Sequence, residues 1–152
     1  MKPGIEFSKK MGAAYQHMCH PLCLETGLPQ TALDILLFLA NNPEYRTARD
    51  IVELRHIKAN LVSVYVERLV QEGYLDRRPV ENDRRKTELL CTEKAQPIIR
   101  RGQDLQEDFS AGLFDGVPEE DREAFQRTIE VMSRNLDRVI RGKGPVVLQT
   151  MH

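Results

Sequence analysis

The sequence contains little cysteine and no long apolar run. Three cysteines among 152 residues are too few, and odd in number, for the paired framework of a small secreted domain, so we expect free thiols in a reducing compartment. The first ten residues, MKPGIEFSKK, lack the apolar core of a secretory leader. No stretch approaches the roughly 18 apolar residues of a membrane span. These absences predict a cytoplasmic protein with no membrane partner.

Patterns typical of catalytic sites are also missing. The sequence has no Gly-rich phosphate loop, no Ser/His/Asp order and no evident carboxylate pair. We therefore predict that the protein is not an enzyme and that it needs no cofactor. Its length fits one domain, over residues 1–152.

The charge is nearly balanced in total but uneven along the chain. The formal net charge is −1, yet one short stretch is strongly basic and residues 104–123 are rich in acidic side chains. Because a local patch rather than the total attracts phosphate, the near-neutral total does not exclude nucleic acid as a partner. The basic stretch contains Arg77, Arg78, Arg84, Arg85 and Lys86.

Hydrophobic spacing predicts a mainly helical chain. A first helix is expected over residues 8–25, with a kink or break at Pro21. The apolar segment TALDILLFLAN predicts a second, central helix, and the Thr-x-x-Asp pattern at Thr47 is a capping box that begins a third. The segment ANLVSVYVERLVQEG predicts a fourth helix that ends at Gly73. Its expected buried face consists of Leu61, Val62, Val66, Leu69 and Val70.

A hairpin follows the fourth helix. YLDRRPV and TELLCT have strand character and are separated by the charged tip ENDRRK. Two helices followed at once by a hairpin predict a winged helix-turn-helix over residues 30–92, in which the second helix enters the major groove of DNA and the hairpin contacts phosphates or the minor groove. The candidate base-reading residues are Lys58, Asn60 and Ser63, those of the wing are Asp83, Arg84, Arg85 and Lys86, and Thr47 and Arg77 are candidate phosphate contacts.

The wing also carries a family resemblance. Residues 67–95, ERLVQEGYLDRRPVENDRRKTELLCTEKA, resemble the signature of the MarR (multiple antibiotic resistance regulator) family. Three positions depart from the common pattern: Lys86 and Ala95 stand where glycine is usual, and Cys91 where leucine is usual. The aspartate and arginine of the family's wing pattern, Asp83 and Arg85, are retained. The matching residues are Leu69, Gly73, Tyr74, Leu75, Arg77, Asp83, Arg85 and Thr92.

The resemblance implies a homodimeric regulator, usually a repressor, that binds a palindromic operator in double-stranded DNA. It also implies that a small-molecule effector, often aromatic and anionic, releases the DNA. The dimerisation helices are expected within residues 8–27 and 93–141, where apolar stripes lie beyond what a lone winged helix can cover. We expect a flexible tail over residues 142–152.

Two alternatives stay open at this point. The same scaffold serves as a protein-interaction module without DNA binding, although such modules usually have an acidic or apolar wing. The stretch HMCHPLC, residues 17–23, admits three interpretations: apolar packing of the two cysteines, a thiol sensor, or a soft-metal site. Packing is favoured, because structural zinc sites use loop-plus-helix spacings that this stretch lacks. The candidate ligands are His17, Cys19, His20 and Cys23.

Overall fold

The computed structural model describes residues 2–142, and the predicted tail over 142–152 lies outside that range from residue 143 onward. The chain divides into two units, residues 1–110 and 111–152. As predicted, it is mainly α-helical with one antiparallel hairpin. The elements are α1 (Pro3–Thr26), α2 (Gln30–Asn41), α3 (Ala48–Arg55), α4 (Ala59–Gln71), β1 (Leu75–Val80), β2 (Asp83–Cys91), a 3-10 turn (Glu93–Ala95), α5 (Gln96–Leu113) and α6 (Glu119–Ile140).

The ends of α3 and α4 follow their local sequence signals. Thr47 is the N-cap of α3: its hydroxyl accepts a hydrogen bond from the backbone N–H of Asp50 at 3.1 Å, and the Asp50 carboxylate accepts from the Thr47 N–H at 3.0 Å. This reciprocal pair is the predicted capping box. Gly73 follows α4 with a φ of +83°, which a residue without Cβ adopts at little cost. Both predicted boundaries are confirmed.

Helix α1 runs through Pro21 without a break, so the break considered from the sequence is wrong. Proline at this position removes the hydrogen bond to the carbonyl of His17. Both residues are exposed, so this stretch of the helix lies at the surface, where water can satisfy a backbone carbonyl. On the opposite side, the fully buried side chains of Cys19 and Leu22 hold the helix against the core.

The core of the first unit is centred on α2. Its side chains Leu33, Ile35, Leu36 and Leu37 are almost completely buried, which explains why this helix is apolar on nearly every face. Leu61 of α4 was expected in the core but is 41% exposed. It lies about 100° around the helix from Val62, outside the stripe that is actually buried. The buried stripe consists of Val62, Val66 and Leu69.

Among residues 2–142, no single helix is long and apolar enough to cross a membrane. Helices α1 and α2 would suffice only if taken together, and the chain bends by 98° between them.

Candidate nucleic-acid interface

Helices α3 and α4 form a helix-turn-helix. The turn between them consists of His56, Ile57 and Lys58, and His56 has the left-handed conformation with a φ of 53°. This conformation helps the chain turn between the two helices within three residues. It is uncommon outside glycine, although histidine adopts it more often than most residues, as asparagine and aspartate do. Lys58 then serves as the N-cap of α4. Its ammonium group only donates and therefore cannot cap the helix N-terminus, but its side chain is exposed and available to other partners.

The first turns of α4 present a mixed polar and apolar surface. The three residues predicted to read bases, Lys58, Asn60 and Ser63, are all exposed. Sequence reasoning missed two further members of this surface, Leu61 and Val64, which are 41% and 62% exposed. Apolar side chains at such positions suit contact with thymine methyl groups in the major groove. Helical spacing could have identified them, because Leu61 and Val64 point away from the side of α4 that carries the buried Val62 and Val66.

The hairpin contains an irregularity that places its cations. Pro79 pairs with Thr87, but the next pair is Val80 with Asp83, so three residues of β2 have no regular partner on β1. These three are Arg84, Arg85 and Lys86, and all are exposed. Pro79 has no N–H to donate to the ladder, which favours a bulge at this point. The wing therefore carries a basic bulge, defined here as residues 84–86.

The tip of the wing is shorter than predicted. Only Glu81 and Asn82 form the turn, and Asp83–Lys86 belong to β2, so the six-residue tip expected from the sequence is wrong. Asp83 is half-buried, and its carboxylate accepts a hydrogen bond from the backbone N–H of Arg85 at 3.0 Å. Aspartate commonly bonds the backbone two residues ahead in turns. Asp83 thus orders the backbone that carries Arg85.

The two candidate phosphate contacts are Thr47, at the start of α3, and Arg77, on β1. The guanidinium of Arg77 donates to the Glu67 carboxylate at 2.7 Å, and Arg77 lines a cleft of about 380 Å³ together with Ser63 and Thr87. The hydroxyl of Thr47 is engaged as an acceptor in the capping box, which leaves its O–H proton free to donate. Each residue retains donors that suit a phosphate oxygen.

The HMCHPLC stretch is divided between the core and the surface. Cys19 is completely buried among core side chains, Cys23 is half-buried, and His17 and His20 are exposed. The thiol of Cys23 donates weakly to Gln30 Oε1 at 3.7 Å, and burial raises the pKa of Cys23 above its usual value. Over the described range 2–142, no three His, Cys, Asp or Glu side chains are grouped to hold a metal ion.

An exposed helix after a three-residue turn, followed by a basic antiparallel hairpin, defines a winged helix-turn-helix protein. Within this class, a MarR family model matches residues 26–86 of the chain. The match covers α2, α3, α4 and most of the wing. The resemblance to this family is confirmed over residues 67–86 of the segment 67–95.

Solved structures of related fold extend over nearly the whole chain. A MarR family transcriptional regulator from Listeria monocytogenes, complexed with 26mer DNA, has a TM-score of 0.79 and 17% identity, covering 95% of this chain and 99% of that one. A MarR transcriptional regulator from Methanosarcina mazei Go1 has a TM-score of 0.74 and 18% identity, with 91% and 99% covered. The S. aureus MepR–DNA complex has a TM-score of 0.72 and 13% identity, with 88% and 98% covered. At these identities the likeness establishes the fold. No curated protein sequence gave a significant match.

Proposed function

We propose that the protein is a homodimeric transcriptional repressor that binds a palindromic operator in double-stranded DNA. The observation that carries this proposal is that α4, whose first turns are exposed, packs against β1 of the hairpin that carries the basic bulge, residues 84–86. A helix supplies base contacts in the major groove, while a flexible cationic hairpin beside it neutralises backbone phosphates. Two structures of the same fold contain DNA, which supports this partner.

Each candidate residue has a role that fits its position. Lys58, Asn60 and Ser63 project from the start of α4, where side chains of a recognition helix reach base edges. Arg84, Arg85 and Lys86 supply positive charge on the wing, and Asp83 orders the wing backbone. Thr47 and Arg77 are proposed to donate to backbone phosphates, from the start of α3 and from β1 respectively. All of these assignments are proposals for DNA-bound protein.

The proposed dimer is supported by apolar surface that the single chain leaves uncovered. None of the side chains of α6 is buried, although five of its apolar residues recur at helical spacing. Isolated exposed apolar residues are ordinary, whereas a continuous stripe of them marks an interface. The proposed dimerisation segments remain 8–27 and 93–141. The stripe on α6 consists of Phe125, Ile129, Met132, Leu136 and Ile140, each at least 41% exposed.

The test combines assembly with DNA binding. Sedimentation of the full chain should give a stable dimer, and selection from random duplexes should enrich an inverted repeat whose half-sites lie about one helical turn apart. The affinity of the protein for this duplex should fall as the salt concentration rises. Binding releases cations from the phosphates, and a high salt concentration opposes that release. A stable monomer that binds no selected duplex at low salt would refute the proposal.

We also propose that a small-molecule effector releases the DNA. A cleft of about 250 Å³ lies among α1, α2, α3 and α5, and it combines aromatic, amide and charged groups. The Asp34 carboxylate in this cleft has a raised pKa because it is partly buried, and burial also raises the pKa of Tyr15 to about 12. The cleft is lined by Tyr15, Asp34, Phe38, Asn41, Asn42, Arg55 and Gln106.

Benzoate is a suitable probe, because the resemblance implies an aromatic anion and Arg55 is the cation of the cleft. Benzoate should weaken operator binding by the wild type. In Arg55→Gln, the concentration needed for half-release should rise about tenfold or more, which is the cost of losing one charge-assisted hydrogen bond. Fluorescence anisotropy of labelled operator measures both. Equal release in the two proteins would exclude this cleft as the effector site.

The alternative functions have less support. The basic bulge argues against a protein-interaction module, since such modules do not need clustered cations on the wing. A thiol sensor needs a ready thiolate, whereas Cys19 is sealed in the core and the pKa of Cys23 is raised by burial. We therefore propose apolar packing as the role of these cysteines. We also propose that the protein is cytoplasmic, is not an enzyme and needs no cofactor.

A further inference from the structure

An ion pair joins the recognition helix to the wing. Arg77 Nη2 on β1 donates to Glu67 Oε2 on α4 at 2.7 Å, and the second oxygen of Glu67 accepts from Gln71 Nε2 at 3.2 Å. The hydrogen bond from Arg77, together with its positive charge, lowers the pKa of Glu67, so this carboxylate is ionised at neutral pH. Both side chains are about half exposed, at 44% for Arg77 and 49% for Glu67. The pair is therefore accessible to a ligand.

The location of Arg77 is suited to DNA contact. Arg77 is two residues from the buried Leu75 and lies on the same face of β1, and it lines the cleft between α4 and the wing. Glu67 follows Ser63 by four residues, so the two occupy the same side of α4. A guanidinium group has five N–H donors. Among the described residues, Glu67 is the one protein acceptor of Arg77, which leaves donors for a phosphate.

We propose that Glu67 is a positioning residue for DNA binding. Its carboxylate fixes the guanidinium of Arg77 at the junction of recognition helix and wing, where the remaining N–H groups bind a backbone phosphate. An arginine held in one geometry before binding loses less rotamer freedom when the phosphate arrives. This inference rests on the proposed DNA-binding function. It assigns a role in DNA binding to an anionic residue, whereas the residues proposed to bind phosphates carry positive charge or are neutral donors.

The sign of the effect separates positioning from simple electrostatics. DNA is an anion, so a carboxylate near it repels it, and removing that carboxylate should tighten binding if charge alone matters. Positioning requires the reverse, because the loss of Glu67 frees the side chain of Arg77. Glu81 provides a matched control: it is an exposed carboxylate on the turn of the same wing, and it forms no ion pair within the described residues.

The experiment compares full-length Glu67→Ala and Glu81→Ala with the wild type, using a duplex selected by the wild type. Glu67→Ala should bind about two- to tenfold more weakly, the cost of immobilising one long side chain. Glu81→Ala should bind equally well or more tightly. Glu67→Gln, which retains an amide oxygen as acceptor for Arg77, should recover part of the loss.

A double-mutant cycle completes the test. In an Arg77→Ala background, Glu67→Ala should cause no further loss, because it acts through Arg77. The thermal unfolding midpoints of Glu67→Ala and Arg77→Ala should stay close to that of the wild type, since exposed ion pairs contribute little to stability. If the wild type binds the duplex and Glu67→Ala binds it equally well or more tightly, the positioning role is overturned and the DNA-binding function is not. A wild type that binds no duplex overturns the proposed DNA-binding function.

Discussion

Replacing Arg85 by alanine should weaken operator binding by about 1–3 kcal/mol without altering which bases are preferred. Arg85 belongs to the basic bulge, and Asp83 holds its backbone N–H at 3.0 Å. The substitution keeps that backbone bond, so the wing conformation should persist and only the guanidinium is lost. A guanidinium on a wing responds to phosphate potential and groove shape more than to base identity. Fluorescence anisotropy against a panel of operator variants measures both quantities.

The comparison needs variants on the helix and a charge control. Asn60→Ala and Ser63→Ala should change the preferred bases, since both side chains are exposed at the start of α4 and each specific base contact discriminates by about 1–3 kcal/mol. Arg100→Ala removes the same charge from the exposed surface of α5 and should have little effect. If the wing variant shifted base preference and the helix variants did not, the assigned roles would be reversed.

Replacing Leu36 by alanine should lower the free energy of unfolding by about 2–5 kcal/mol. Leu36 is completely buried in α2, within the core that supports both helices of the helix-turn-helix. Removing its side chain loses buried apolar contact and leaves a cavity that the surrounding leucines fill only in part. Urea denaturation, at one fixed protein concentration because dimerisation contributes to stability, measures the change.

Leu54→Ala is the matched control for this substitution. Leu54 is 46% exposed on α3, outside the proposed dimerisation segments, so the same chemical change should lower the free energy of unfolding by about 1 kcal/mol or less. Similar losses in both variants would contradict the assignment of Leu36 to the core and Leu54 to the surface. A loss below about 1 kcal/mol for Leu36→Ala would contradict its place at the centre of the core.

Features specified by neighbouring residues were predictable from the sequence. The capping box needs only Thr47 and Asp50, three positions apart, and the stop after α4 needs only Gly73. The family signature is likewise a local pattern of glycine, arginine and aspartate along the wing. Helix spacing identified most of the buried face of α4. Leu61 was misassigned because it was counted with Val62, although adjacent residues of a helix point about 100° apart.

Features that depend on tertiary contact could not be predicted. The jump in register between Pro79 and Val80 depends on how two strands align, which the charged tip does not reveal. The pairing of Glu67 with Arg77 brings together residues ten positions apart on different elements. Apolar packing of Cys19 was expected, but its complete burial within its own chain depended on the position of α2. Pro21 was expected to kink or break α1 because its ring meets the carbonyl four residues back, and the sequence did not reveal that the helix continues to Thr26.

The bulge in the hairpin also affects the tendency of the protein to aggregate through its strand edges. A two-stranded ribbon offers its outer edges as templates for other chains, which is a common route to aggregation. Here Pro79 withholds an N–H from β1, while the N–H of Leu89 on β2 is occupied by the carbonyl of Arg46 at 2.7 Å. Three successive cations on the bulge repel the same segment of a second molecule. The bulge that we propose presents positive charge to DNA thus also disfavours edge-to-edge pairing between copies of this chain.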